Sequence, residues 1–213
     1  MTDLWSERAR AYRESPAHRE GPDLDLVVEW AAGATTALDV ATGGGHVARR
    51  LPEAGVAVVT TDPAPGMEPD VICRGEDLPF ADGSFDVVTC RLGGHHFSNI
   101  RAAVAEMARV AARAVIVVDN LYGGDRLEEA ERARDPSHAR CYSAEEWRTM
   151  LEEVGLGIDD VRFFAVPIEL EPWLKRAGCT GRQAERVRQL AADRIADGWI
   201  TLERVAVKAR KGR

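Results

Sequence analysis

The sequence lacks an excess of positive charge. Its 213 residues include 28 Lys and Arg against 35 Asp and Glu, which gives a formal net charge of −7. Proteins that bind nucleic acid usually present a basic face to the phosphate backbone, and the one obvious basic run is KARKGR near the C-terminus. We therefore expect a solvated C-terminal tail and no nucleic-acid partner.

Long apolar runs and paired cysteines are absent too. No uncharged stretch reaches the roughly 18 residues of a spanning helix, and MTDLWSERAR has no apolar signal segment. The four cysteines form no C-x-x-C pair, which excludes the usual zinc spacing and gives no disulfide framework. We expect a cytoplasmic protein with no membrane association and no bound metal.

The remaining composition is typical of one globular domain. Hydrophobic residues make up 45% of the chain and charged residues 30%, and a chain of this length can bury a sizeable core. We predict a single domain over residues 1–213. It would carry an N-terminal helical cover at residues 1–33 and insertions at residues 121–140 and 167–198.

Strand patterns and helix patterns alternate along the chain. Residues 36–62 read as strand, glycine turn, helix and strand, which is the order of a βαβ unit in a parallel sheet. FDVVTC and AVIVVDN are nearly continuous apolar runs, as in strands covered on both faces. Ser143-x-x-Glu146 predicts a capping box at a helix start. Two strands near residues 160–166 and 199–209 complete an α/β fold with helices on both faces.

Polar residues and glycines occur where the predicted strands end. In open parallel sheets, ligands bind at the carboxyl ends of the strands. Gly43 and Gly45 would let a ligand approach the backbone, because glycine has no Cβ. Asp62 ends the second strand, 19 residues after Gly43, where a carboxylate can accept hydrogen bonds from two ribose hydroxyls.

The glycine turn allows two interpretations. Gly43, Gly45 and Ala48 match G-x-G-x-x-A, the fingerprint of NAD(P)- or flavin-dependent oxidoreductases. Asp39, just before the turn, would repel a pyrophosphate across a low-dielectric site but suits an ammonium or sulfonium group. The acid therefore favours a cationic cofactor. A scaffold that binds such a cofactor without turnover stays as a third alternative.

Four segments taken in order carry a family resemblance: DVATGGG from Asp39, TDP from Thr61, EDLPFADGSFD from Glu76, and E-x-x-R-V from Glu106. Together they resemble the class I S-adenosylmethionine-dependent methyltransferases. The closest likeness is to the type 11 methyltransferase domain and to the ubiquinone/menaquinone C-methyltransferases. The resemblance covers about residues 5–156.

This resemblance implies a Rossmann-like sheet of seven strands in the order 3-2-1-4-5-7-6, mostly parallel, with an antiparallel seventh strand. It also implies S-adenosyl-L-methionine as cofactor and in-line transfer of its methyl group to a small-molecule acceptor, by O- or C-methylation. The acceptor and the oligomeric state, a homodimer included, stay open at this point.

The resemblance further implies roles for individual positions. Asp39 would engage the amino group of the methionine part above the glycine turn, and Asp62 the ribose. Ala41 stands where many members of the family have glycine. The implied cofactor-binding residues are Tyr12, Asp39, Ala41, Gly43, Gly45, Asp62, Pro63, Gly75, Glu76, Asp77, Leu78, Cys90 and Arg91.

His95 and His96 are the catalytic candidates. They follow the fourth predicted strand, on the rim where an acceptor would approach the methyl group. A histidine there can remove a proton from a hydroxyl or an acidic carbon. The alternative is a structural role, in which one of them packs with Phe97 and hydrogen-bonds the backbone.

Overall fold

Eight strands form one mixed sheet in the computed structural model, which describes residues 2–212. The strands are β1 (Thr36–Val40), β2 (Ala57–Asp62), β3 (Val71–Ile72), β4 (Phe85–Arg91), β5 (Ala111–Asn120), β6 (Leu156–Glu169), β7 (Ile195–Ala196) and β8 (Trp199–Lys211). Their order in the sheet is β3-β2-β1-β4-β5-β8-β6, and the short β7 pairs with β8. The predicted order is confirmed, with β8 in the place of the expected seventh strand and β7 as an addition.

The strands β1 to β5 are parallel to one another, and β8 runs antiparallel to both β5 and β6. A parallel sheet is covered on both faces, so its strands are apolar on both sides. Leu38 and Val40 pack on one side among residues of the helices that follow β4 and precede β6. Ala37 packs on the other side with the helices that flank β1. The predicted α/β class is therefore confirmed.

Nine helices accompany the sheet within residues 2–212: α1 (Thr2–Arg13), α2 (Pro16–Arg19), α3 (Pro22–Trp30), α4 (His46–Arg50), α5 (Ile100–Val110), α6 (Asp125–Arg134), α7 (Ala144–Glu153), α8 (Leu170–Arg176) and α9 (Gly181–Leu190). The predicted capping box begins α7, where the Ser143 hydroxyl accepts from the Glu146 N–H and the Glu146 carboxylate accepts from the Ser143 N–H. None of these helices combines the length and apolar character needed to cross a membrane.

The two predicted insertions contain α6 and the pair α8 and α9. A third apolar cluster, with Trp173 and Val187, packs them together beside the start of β8. The helical pattern of residues 181–197 predicts one helix over that range, but α9 ends at Leu190. Asp197 and Gly198 have φ values of +50° and +81°, which suits the two-residue turn of the β7–β8 hairpin.

The N-terminal segment is joined to the sheet by buried charges. Asp23 in α3 lies between two arginines: its Oδ2 accepts from Arg91 Nε in β4 at 2.8 Å, and both oxygens accept from Arg204 Nη1 in β8 at 3.2 Å. All three side chains are at most 3% exposed. Burial opposes ionisation of Asp23, but the two guanidiniums outweigh it and lower the pKa of that carboxyl. We call these residues the Asp23 triad.

We expect Asp23→Ala to lower the free energy of unfolding by about 3–5 kcal/mol, because it leaves two guanidiniums buried without a counter-charge. The measurement is urea-induced unfolding. Asp25→Ala is the matched control: Asp25 lies in the same helix, pairs with Arg50 at 2.7 Å and is 65% exposed, so its loss should cost less than about 1 kcal/mol. Equal losses for the two variants would contradict this account of the triad.

Candidate functional site

A cavity opens where β1, β2 and β4 end, under α1. Its walls combine the glycine turn after β1, the two carboxylates at the ends of β1 and β2, and the turn after β4. The lining residues are Trp5, Tyr12, His18, Asp39, Ala41, Thr42, Gly43, Gly44, His46, Val47, Asp62, Pro63, Met67, Arg74, Gly75, Glu76, Arg91, Leu92, Gly93, His96, Phe97 and Ser98. The cavity therefore lies at the edge of the sheet where ligands of parallel α/β proteins bind.

Asp39 is a buried acid in the floor of the cavity. Its Oδ2 accepts from the Thr42 hydroxyl at 2.7 Å and its Oδ1 from the Thr89 hydroxyl at 2.9 Å. Burial raises the pKa of Asp39 to about 6, because the two hydroxyls compensate only part of the lost hydration. A cation placed beside this buried carboxylate would stabilise its charged form.

Asp62 fixes the glycine turn. Its Oδ2 accepts from the Gly43 N–H at 3.0 Å, and its Oδ1 accepts from the Ala64 N–H at 2.9 Å. Gly43 has a φ of +52°, in the left-handed region that glycine adopts without strain. Ala41 adopts a similar φ of +54°. Glycine tolerates this conformation better than alanine, which fits the glycine that many members of the similar methyltransferase family have at this position. Burial raises the pKa of Asp62.

Arg91 lines the cavity and forms part of the Asp23 triad. Its Nε donates to Asp23 and its Nη1 to the His18 carbonyl at 3.0 Å. Its Nη2 is buried and has no hydrogen-bond partner among the described residues. Because the Asp23 triad holds two guanidiniums and one carboxylate, its net charge is positive. An anionic group in the cavity would be attracted by this charge.

The helix α1 covers the cavity with Trp5 and Tyr12. The Gly66 N–H donates to the Ser6 hydroxyl at 2.9 Å, and Arg13 donates to the Gly66 carbonyl at 2.7 Å. The His46 ring donates to the Tyr12 carbonyl at 3.0 Å while accepting from Arg49, and burial lowers its pKa to about 4. These contacts seat the cover on the turns that follow β1 and β2.

His95 and His96 lie in a turn after β4, with ring centroids 4.1 Å apart. His95 is buried, and its ring and its N–H both contact the Asp119 carboxylate at the end of β5. Burial opposes the charged form of His95, but Asp119 outweighs it and raises the pKa of that ring. His96 lines the cavity, and its Nδ1 lies 3.1 Å from the Ser137 carbonyl. Burial and the neighbouring His95 hold the pKa of His96 well below its usual range.

Most of the predicted cofactor-binding residues come together in this cavity: Tyr12, Asp39, Ala41, Gly43, Asp62, Pro63, Gly75, Glu76 and Arg91. Four lie outside its lining. Gly45 precedes α4, Asp77 follows Glu76 in the turn, and Leu78 and Cys90 belong to the apolar core. Of the two catalytic candidates, the cavity includes His96 and not His95. The roles of all these residues stay predictions.

His18 was not among the predicted site residues but lines the cavity. It follows no motif, and its position depends on the fold of the N-terminal cover. His46 and Val47 also line the cavity; they open α4 directly after the glycine turn, where the sequence predicts backbone N–H groups near a ligand carboxylate or phosphate. Glu76 has a structural task as well, because its Oε1 accepts from the N–H and the hydroxyl of Ser98.

A second group of polar side chains lies in the insertion after β5. Glu128, His138 and Cys141 bring three potential ligand atoms within 4.8 Å of one another. Glu128 Oε2 lies 3.3 Å from His138 Nε2, and its Oε1 accepts from the Cys141 N–H at 3.0 Å. Burial raises the pKa of the Cys141 thiol. With both carboxylate oxygens engaged by protein donors, the group ties α6 to the loop after it.

Comparisons with known proteins point to one family. A family model described as a methyltransferase domain matches residues 38–118. The uncharacterised methyltransferase YcgJ of Bacillus subtilis is 32% identical over 210 residues, covering 87% of this chain and 82% of its own length. The crystal structure of YcgJ covers 90% of this chain and 98% of its own, with a TM-score of 0.80 and 25% identity.

Two further proteins are similar. The crystal structure of the Bacillus halodurans protein BH2331 covers 91% of this chain and 100% of its own, with a TM-score of 0.77 and 30% identity. The demethylmenaquinone methyltransferase of Corynebacterium urealyticum is 38% identical over 81 residues, which are 34% of this chain and 35% of that protein.

We expect the Asp39 carboxyl to titrate with a midpoint near pH 6 in the ligand-free protein, measured by carbon-detected NMR of the carboxyl groups. This pKa lies above that of an unfolded chain, so the group favours folding below about pH 4 and this contribution is lost as the pH rises to about 6. Thr42→Val removes a hydrogen bond to the carboxylate and should move the midpoint higher.

The same spectra contain a control. Hydrogen bonds from Thr35 lower the pKa of Asp86, at the other end of the strands. That resonance should keep its low midpoint in Thr42→Val. An Asp39 midpoint near the ordinary value of about 3.9 would overturn the description of a buried, under-compensated acid.

Proposed function

The chain belongs to the class I S-adenosylmethionine-dependent methyltransferases, and we propose that it methylates an oxygen or carbon of a small-molecule acceptor. The observation that supports this proposal most is that the Asp39 carboxylate and the Arg91 guanidinium both belong to the lining of one cavity. One acidic and one basic side chain around the same space are complementary to the ammonium and carboxylate of an amino-acid end.

The turn between them suits the rest of the cofactor. Asp62 uses one lone pair of each oxygen for the Gly43 and Ala64 N–H groups, so each oxygen can accept a second hydrogen bond from a ribose hydroxyl. Gly75 packs against Phe97, where a Cβ would lie 2.9 Å from the ring. A flat apolar surface thus lies next to the glycine, which suits the face of an adenine ring.

The cofactor would supply an electrophilic methyl group on a sulfonium sulfur. The protein's own part is to orient the reactants and keep water out, because this reaction needs no covalent enzyme intermediate. We assign His96 as the group that accepts a proton from the acceptor. Its low pKa keeps the ring neutral at physiological pH, and its Nδ1 faces Ser137, which leaves Nε2 for the cavity. His95, held by Asp119, would act through His96.

The dinucleotide alternative fits this site less well. A pyrophosphate above the glycine turn would face the buried Asp39, and two negative charges in a dry cavity repel strongly.

The identity of the acceptor is a separate question from that of the cofactor. The demethylmenaquinone methyltransferase match covers about one third of this chain, so the segments that shape an acceptor pocket, residues 121–140 and 167–198, are free to differ.

We expect Arg91→Gln to weaken the binding of S-adenosylhomocysteine about 10- to 100-fold, because a charge-assisted hydrogen bond is worth about 1.5–3 kcal/mol. Binding of methylthioadenosine, which has no amino-acid end, should stay within about twofold of the wild type. The measurement is isothermal titration calorimetry of both ligands, with thermal unfolding to confirm that the variant is folded.

Arg74→Gln is the matched control, because Arg74 lines the same cavity but is 59% exposed and pairs with Glu76. Both ligands should bind it within about threefold of the wild type. Tight binding of NAD with no response to S-adenosylhomocysteine would contradict the proposed function.

We expect His96→Gln to lower the rate of methyl transfer about 10²- to 10⁴-fold, the range for loss of a general base. S-adenosylhomocysteine affinity should stay within about twofold, since the ring is assigned to the acceptor and not to the cofactor. The measurement is S-adenosylhomocysteine formed with an acceptor found by screening phenols and enols. Unchanged turnover by this variant would return His96 to a structural role.

A further inference from the structure

His96 is oriented by a loop from the insertion after β5. Its Nδ1 lies 3.1 Å from the main-chain carbonyl of Ser137, which can only accept a hydrogen bond. The Ser137 hydroxyl also lies 3.3 Å from Nδ1, but it donates its proton to Asp135 and so can only accept from the ring. Both contacts therefore place the proton of a neutral ring on Nδ1, which leaves Nε2 with a free lone pair. A ring with the other tautomer would have no lone pair to offer at Nε2.

The carboxylate of Asp135 holds that loop. Its Oδ1 accepts from the Ser137 N–H at 2.9 Å and from the Ser137 hydroxyl at 2.6 Å. The loop is also seated on the histidine turn, because the N–H groups of Ala139 and Arg140 donate to the His95 carbonyl at 2.9 and 3.2 Å. Asp135 is fully buried. Burial opposes its ionisation, but the bonds from Ser137 and the charge of Arg134 lower its pKa to about 2.

The helix α1 completes the arrangement from the other side. Arg8 Nη1 donates to the same oxygen of Asp135 at 3.0 Å, and Arg8 also donates to the Ala177 carbonyl at the end of α8. One turn earlier, the Trp5 ring meets the His96 ring edge to face, with centroids 4.7 Å apart. The cover that closes the cavity thus contacts both the histidine and the carboxylate that positions it.

We propose that Asp135 and Arg8 are positioning residues that hold His96 in its Nδ1–H tautomer, so that the lone pair of Nε2 is available to the acceptor. The geometry runs from Arg8 to Asp135, from Asp135 to Ser137, and from Ser137 to His96. The proposal rests on the proton-accepting role of His96 in the proposed function and adds a structural coupling between the cover and that residue.

The test is ¹⁵N NMR of the imidazole rings in the ligand-free protein, which needs no acceptor. The chain has five histidines, and His96→Gln identifies the resonances of His96. In the wild type we expect His96 to show one protonated Nδ1 and one unprotonated Nε2. In Asp135→Ala we expect that single tautomer to be lost and replaced by a mixture of both.

Two further variants should lose intermediate amounts of the Nδ1–H tautomer of His96. Asp135→Asn keeps an oxygen for Ser137 and should retain more of the Nδ1–H tautomer than Asp135→Ala. Arg8→Gln leaves Asp135 in place and should shift the mixture in the same direction by a smaller amount. If Asp135→Ala does not fold, Arg8→Gln and Ser137→Ala carry the test.

Glu131→Gln is the matched control, because Glu131 is a buried carboxylate in α6 that pairs with Arg134 at 3.0 Å. It should leave the His96 tautomer unchanged. An unchanged tautomer in Asp135→Ala and Arg8→Gln, or an equal loss in Glu131→Gln, would overturn the proposal. Calorimetry with S-adenosylhomocysteine on the same variants tests the cofactor site separately, so the two proposals fail independently.

Discussion

The buried Asp23 triad is the interaction on which the site depends. One carboxylate shared by two guanidiniums joins α3 to β4 and β8, so it fixes the N-terminal cover against the middle of the sheet. The shared carboxylate neutralises only one of the two positive charges, and one of the two guanidiniums, that of Arg91, belongs to a residue that lines the cavity. Buried ion pairs often contribute little net stability, because desolvation offsets attraction. In the proposed function, the surplus charge of the triad would attract the carboxylate of the cofactor.

Asp39 and Arg91 give the lining of the cavity one negative and one positive side chain. The acid lies in the floor of the cavity with its pKa raised by burial, and Arg91 belongs to the same lining. An amino-acid end satisfies both groups at once, whereas a pyrophosphate satisfies only the arginine. In the proposed function, specificity for the cofactor class would follow from these two charges, with the glycines letting the ligand approach the backbone. The insertions would then select the acceptor.

The sequence predicted the features that depend on the order of the strands and on the residues at their ends. Asp39, Gly43 and Asp62 lie at strand ends, and a parallel sheet brings such ends together whatever the details of packing. The Asp23–Arg91 and Asp23–Arg204 contacts join residues 68 and 181 positions apart, and no periodicity signals them. The helix α6 also escaped prediction: DRLEEAERAR has few apolar residues, and its buried face includes Glu128, Glu131 and Arg134. The pair Asp197–Gly198 is a turn signal, but the helical pattern before it predicted a helix that continues to this point.

The seating of α1 has a consequence for ligand exchange. The helix is held by side-chain contacts, among them Ser6 and Arg13 at Gly66, Arg8 at Asp135, and Ala9 against Ala64 and Met67, and not by strand pairing. Displacement of α1 would therefore break these contacts and leave the hydrogen bonds of the sheet intact. Spent cofactor would leave through this opening, and the lifetime of the closed cover would then set the upper limit on turnover.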